Sequence, residues 1–150
     1  MKVLIAIDGS ASSQHVIDEL KSINLDKESE VIVLSAVERV GPIMGEPLGG
    51  ALIEYGARIE VQNLETAREI VNEARDKIEK RYGCYVKAEV ALGSPKHVIT
   101  DKAEEWDVNL IILGSHGYGF LGRFLLGSVS GFVSQHAKCS VLIAKSAESV

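Results

Sequence analysis

Apolar and polar positions along this chain alternate between two periods. Val3-Leu-Ile-Ala-Ile7, Val31-Ile-Val-Leu34, the run Val108 to Leu113 and the run Ser140 to Ala144 are continuously apolar or nearly so. Each has the length of a strand. Continuous rather than alternating apolarity predicts burial on both faces, as in a parallel sheet. The first strand is placed at Lys2 to Ile7 and ends at Asp8-Gly9-Ser10; the second lies within Glu30 to Val37. A further strand, Cys84 to Leu92, alternates: Val86, Ala88, Val90 and Leu92 on one side, Lys87 and Glu89 on the other. That pattern suits a position nearer a sheet edge.

Between the strands the spacing changes to three and four. Val16, Ile17, Leu20 and Ile23 mark one helix, with Ser12 or Ser13 as its cap. Ala57, Val61, Leu64, Ala67, Val71, Ala74 and Ile78 mark a long one from Ala51 to about Tyr82, stopped by Gly83. Its wet face offers Glu73 with Lys77 and Asp76 with Lys80 as (i, i+4) pairs. The seven-residue spacing suits either a coiled coil or a surface helix packed on a sheet. Gly93-Ser94-Pro95 starts a third helix, with Ser94 as cap and Pro95 in the first turn. Its buried stripe is Val98, Ile99, Ala103 and Trp106. A fourth begins near Ser128, with Val129, Phe132, Val133 and Ala137 facing inward. Strand and helix alternate from end to end, which predicts an α/β fold with an open parallel sheet and right-handed crossovers.

Two segments interrupt this rhythm. Glu38 to Gly50 holds four glycines and two prolines and reads as a long loop. It is either a cover for a ligand or a plain linker. The second is the run Gly114-Ser-His-Gly117-Tyr-Gly-Phe-Leu-Gly-Arg-Phe-Leu-Leu-Gly127-Ser128 after the fourth strand. Six of the 14 glycines lie between Gly114 and Gly131.

Composition changes the picture only in part. At 150 residues, 46% hydrophobic and 25% charged, the chain is an ordinary globular one, read as a single domain over 1–150 with a core that needs no disulfide or metal. Cys84 and Cys139 have neither Cys-x-x-Cys nor zinc spacing and read as buried thiols. No apolar run approaches the ~20 residues of a membrane span. The start is too short in apolar core for a secretory signal, so the cytoplasm is the expected location. A net charge of -5 argues against nucleic acid as the main partner. The distribution of charge says more. From Val108 to Ala147 there is no acidic residue, although the chain has 21. The same stretch carries Arg123, Lys138, Lys145, His116 and His136. A glycine loop free of acids does not repel phosphate, although packed strands carry few charges in any case.

In open parallel sheets ligands bind beyond the carboxyl ends of the strands, where the strand order reverses. If the first and fourth strands are neighbours, Asp8 and Gly114 share one crevice. Gly114 allows the turn off the strand. Gly117 lets backbone N–H groups face a phosphate. Gly127-Ser128 opens a helix whose free N–H groups and Ser128 hydroxyl suit a terminal phosphate. The P-loop spacing is absent. Gly117-Tyr-Gly119-Phe-Leu-Gly122 matches a dinucleotide fingerprint in letters only, since no helix opens at its third glycine.

Gly114-x2-Gly117-x9-Gly127-Ser128 resembles the ATP-binding signature of the universal stress protein family, Gly-x2-Gly-x9-Gly-Ser/Thr. The similarity extends to the strand ending at Asp8, the Gly93 helix start, the Gly-Ser-His-Gly run and the last strand. The resemblance implies a single open five-stranded sheet in order 3-2-1-4-5 with helices on both faces, Rossmann-like, of the adenine nucleotide alpha hydrolase-like type. It implies ATP between strands one and four. Ala6 and Asp8 would line the ribose and adenine side, with Asp8 also reaching a phosphate-bound Mg²⁺ or Mn²⁺. The backbone at Ala36 and Val37 would hold adenine. Leu113 and Gly114 would lie under ribose and phosphates, and Gly117, Gly127, Ser128 and Val129 would bind the phosphates. The family often has proline where this chain has Ala6. It also implies a homodimer through the last strand, Cys139 to Lys145.

Each residue has a plainer role beside the functional one. Asp8 can simply accept N–H groups of its own turn, and Ser128 can simply cap its helix. His116 has no evident catalytic partner; Arg123 can be a solvated loop residue. Tyr118, Phe120 and Phe124 read as loop anchors or dimer contacts. The expected function is therefore nucleotide-dependent stress signalling or protection, with at most slow ATP hydrolysis. An adenylyl-transferring enzyme of the same topology is the alternative, but its His-x-x-His signature is missing. A nucleotide-free interaction module is a third reading.

Overall fold

Each predicted apolar run becomes a strand of one parallel sheet. The computed structural model describes residues 1–41, 49–115 and 126–145. The strands are β1 (Lys2–Ala6), β2 (Glu30–Val37), β3 (Tyr85–Leu92), β4 (Leu110–Gly114) and β5 (Ser140–Ala144), and they pair in the order β3-β2-β1-β4-β5. Every pairing is parallel. The helices are α1 (Ala11–Glu19), α2 (Gly49–Tyr82), α3 (Pro95–Glu105) and α4 (Ser128–His136), with a 3-10 turn at Leu20–Ser22 after α1.

Strand alternation divides the core into two layers. Val3, Ile5, Val31, Val33, Val86 and Ile112 point to one side, against Val16 and Leu20 and against Val71, Ala74 and Ile78 of α2. Leu4, Ile32, Leu34, Ile111 and Leu113 point to the other, against Ile99 and Ala103 of α3 and Val133 of α4. Val3, Leu4 and Ile5 are wholly buried. Such residues supply about 1.5–3 kcal/mol each through burial, which is why the central strand has no polar face. The alternating strand, β3, is indeed an edge.

Several local expectations change. β1 stops at Ala6, one residue short of Ile7, and Cys84 and Cys139 each precede their strand. Burial pushes both thiols above the usual cysteine range. Of the fourth helix's expected inward face, Phe132 is only half-buried; it stacks on His136 at 3.9 Å and meets His97 edge-on at 5.0 Å. Glu73–Lys77 forms at 2.7 Å, whereas Asp76 is taken by its neighbour Arg75 at 2.8 Å rather than by Lys80. Gly83 ends α2 at φ +66°, its N–H donating to Glu79 O at 2.9 Å. Among the described residues no helix is long and apolar enough to cross a membrane.

Candidate functional site

The strand order reverses between β1 and β4: β2 and β3 extend from one side of that pair, β5 from the other. Ala6 pairs with Leu113 at the carboxyl ends. Chains leaving β1 and β4 therefore diverge and open a crevice. A cavity of about 480 Å³ lies there, within the range of small-molecule sites.

Its lining is divided by chemistry. Ala6, Leu34, Ala36, Pro95, Ile99, Leu113 and Val129 are apolar; Asp8, Ser10, Ser12, Ser13, Glu38, Gly127, Ser128 and Ser130 bring polar groups. Of the residues singled out from sequence, Ala6, Asp8, Ala36, Leu113, Gly114, Gly127, Ser128 and Val129 thus meet around one space. Val37 does not line it; that residue is buried and its carbonyl accepts the Gly93 N–H at 2.9 Å. Gly117 lies outside the described residues, as do His116, Tyr118, Phe120 and Arg123 to Phe124.

The turn after β1 is wired through two side chains. Asp8 Oδ1 accepts the Ser10 N–H at 2.9 Å and the Ser13 hydroxyl at 2.8 Å. Ser13 Oγ in turn accepts the N–H groups of Asp8 and Gly9, at 3.0 and 3.2 Å. Gly9, at φ +83°, supplies the left-handed residue that folds the chain back. Ser10, not Ser12 or Ser13, is the N-cap of α1, and its side chain makes no cap bond. Asp8 Oδ2 has no hydrogen-bond partner among the described residues.

The start of α4 is fixed differently. The Gly127 N–H donates to Ser115 O at 2.9 Å, so it is spoken for. The first bond within the helix comes from Gly131 N–H to Gly127 O at 2.8 Å. The N–H groups of Ser128, Val129 and Ser130 are therefore the ones without a helical acceptor. The buried Ser130 hydroxyl donates to Ser115 O at 2.9 Å, sharing with Gly127 O at 3.0 Å, and so ties the helix to the end of β4.

This arrangement can hold a flat apolar group, a polar linker and an anion in succession. The apolar walls face the base-sized end, and amide donors with the positive end of a helix dipole face the other. One carboxylate with a free oxygen fits a Mg²⁺ that keeps most of its waters and is shared with phosphate oxygens. Among the described residues no cluster of three metal-ligating side chains exists, so a metal held by protein alone does not fit. Sequence reasoning missed Leu34, Ile99, Pro95, Glu38, Ser10, Ser12, Ser13 and Ser130 as wall residues. The one usable signal was topology, since every helix of a parallel sheet starts at the same edge.

Three likenesses accompany this geometry. The model of the Universal stress protein family matches residues 1–145. The Universal stress protein YxiE of Bacillus subtilis (strain 168) is 33% identical over 147 residues, covering 96% of this chain and 98% of its own. A solved structure of hypothetical protein MJ0577 superposes with a TM-score of 0.84 at 27% identity, covering 99% of this chain and 97% of that one. A universal stress protein family protein from Arabidopsis thaliana, At3g01520, solved with AMP bound, shares the fold with a TM-score of 0.65 at 20% identity, covering 97% and 91%.

Proposed function

We propose that this chain, which belongs to the universal stress protein family, binds ATP in the crevice between β1 and β4 and responds to stress through that nucleotide. The observation that carries the reading is the divided cavity at the switch point, apolar at one end and headed by free helix amides at the other. The AMP held by the similarly folded Arabidopsis protein supports an adenine nucleotide. In this reading adenine lies between Leu34, Ala36 and Ile99, near the Ala36–Val37 backbone. Ribose lies by Ala6 and Asp8, over Leu113 and Gly114. The phosphates meet Gly117, Gly127 and the amides of Ser128 and Val129, with Mg²⁺ or Mn²⁺ shared between them and Asp8. The chain pairs with a second copy through Cys139 to Lys145; β5 is a sheet edge whose Val141, Leu142 and Ile143 are only half-buried. Its role is binding and signalling, with hydrolysis slow.

The protein is purified, denatured and its supernatant chromatographed for adenine nucleotide; titration calorimetry then measures ATP affinity before and after Gly127→Val. Co-purified nucleotide or micromolar ATP binding, lost in a folded Gly127→Val, is the expected result. No binding at millimolar Mg-ATP, or unchanged affinity in the variant, refutes it.

A further inference from the structure

Ser10 holds the N-cap of α1, where a serine hydroxyl ordinarily accepts an amide of the first helical turn. Here it makes no such bond. Ser10 is 8% exposed, and its Oγ is buried without any hydrogen-bond partner. The turn meets its needs without that oxygen. The Ser10 N–H goes to Asp8 Oδ1, the Ser13 N–H to the Ser10 carbonyl at 3.0 Å, and the Ser13 hydroxyl serves Asp8 and Gly9. A buried hydroxyl left unpaired disfavours folding, and such groups are uncommon enough to require a cause. Ser10 lines the cavity, and two residues before it Asp8 carries a second oxygen that is likewise unpaired among the described residues.

We infer that the Ser10 hydroxyl and Asp8 Oδ2 together take the vicinal hydroxyls of the ligand's ribose, so that the N-terminus of α1 selects ribonucleotides over deoxyribonucleotides. This rests on the adenine-nucleotide reading above. A bare phosphate is the wrong ligand here, because the Asp8 carboxylate stands beside the cap and repels it. A neutral diol has no such conflict. Its hydroxyls donate to the carboxylate oxygen and exchange a hydrogen bond with the serine, which can both donate and accept. The position agrees. Asp8 and Ser10 follow the end of β1, flanked by the apolar slot at Leu34 and Ala36 on one side and the start of α4 on the other. A sugar lies between its base and its phosphates. Turning the Ser10 side chain to another staggered rotamer breaks no hydrogen bond, since it makes none.

The test compares the full-length wild type with Ser10→Ala. Calorimetric affinities for ATP, 2′-deoxy-ATP and 3′-deoxy-ATP are measured with Mg²⁺ and with EDTA, so that any metal role of Asp8 is read separately. Thermal unfolding of the nucleotide-free proteins is recorded alongside. The wild type is expected to prefer ATP over at least one deoxy analogue by about tenfold, and Ser10→Ala to reduce that ratio to about twofold. The nucleotide-free variant should unfold at the same temperature or a few degrees higher, having lost an unpaired buried hydroxyl. A wild type that binds ATP without discriminating, a variant that keeps the wild-type ratio, or a variant that unfolds lower when nucleotide-free overturns the inference. If the wild type binds none of the three, the adenine-nucleotide reading falls first, and this inference falls with it.

Discussion

Replacing Ser130 by alanine deletes one hydroxyl from a residue that is 2% exposed and leaves its neighbours in place. The size of the effect follows from who is left unpaired. Ser115 O loses the hydroxyl but keeps the Gly127 N–H at 2.9 Å, and Gly127 O keeps the Gly131 N–H at 2.8 Å. Neither carbonyl becomes an orphan, so the larger penalty of about 1–3 kcal/mol for a stranded buried group does not apply. What is lost is the net value of one hydrogen bond, about 1 kcal/mol, or about 2–4 °C in Tm for a chain of this length. Ser134 is the internal control. Its hydroxyl also donates to the carbonyl three residues back, Gly131 O at 2.8 Å, but it is exposed. Ser134→Ala should change stability by less than about 0.5 kcal/mol. Because the Ser130–Ser115 bond joins the two flanks of the glycine loop, ATP affinity should fall about 3- to 10-fold in Ser130→Ala. Urea denaturation and calorimetry measure the two effects. Equal costs for both serines, or a Ser130→Ala protein as stable as wild type, would show that the bond does not hold α4 in place.

The other predictions concern neighbouring wiring. Ser13→Ala strands the Asp8 and Gly9 N–H groups, unlike Ser130→Ala, and should cost about 2 kcal/mol in urea denaturation; a loss no larger than that of Ser130→Ala would contradict the orphan argument. Asp8→Asn keeps an oxygen to accept the Ser10 N–H but replaces Oδ2 with an amide donor. It should therefore stay within about 1 kcal/mol of wild-type stability while binding ATP at least about tenfold more weakly, whereas Asp8→Ala should lose both. Burial raises the Glu89 carboxyl, but hydrogen bonds from Lys87 at 2.8 Å and Lys102 at 3.1 Å outweigh it and hold it below the usual glutamate range. A depressed carboxylate stabilises the fold above its unfolded value, near pH 4.3, and that stability drains away as pH falls through the lower folded value. Glu89→Gln should cost about 0.5–1 kcal/mol at pH 6 and close the gap to wild type by pH 3; parallel stability curves would contradict it.

Strands were the most readable part of the chain because burial on both faces removes ambiguity: Val3 to Ile7 admits no other reading in an α/β alternation. The long helix was readable as a helix but not in how it sits. Its stripe continues without a break from Ala57 to Ile78, yet Ala67, Val71, Ala74 and Ile78 are buried while Val61 is 54% exposed and Ile53 62%. The reason is length. A helix of 34 residues runs ~50 Å, and strands of eight residues such as β2 run ~26 Å. The sheet covers only the later turns, and nothing in a residue's letter says where a neighbouring strand ends.

The site was readable where glycine carried the signal and opaque where hydroxyls and aliphatics did. Leu34 and Ile99 have the same periodicity as core residues because they are core residues whose outer edge borders a cavity. Among the serines after β1, the letters allow any to cap α1; the choice depends on which hydroxyl reaches the Asp8 carboxylate, and Ser13 does. Asp8 presented two readings, turn acceptor or ligand contact, as if they competed. A carboxylate has two oxygens, and here Oδ1 carries the whole structural duty. The structural reading therefore does not weaken the functional one. It strengthens it, because a side chain already fixed by two hydrogen bonds presents its other oxygen to the cavity with little conformational entropy left to lose.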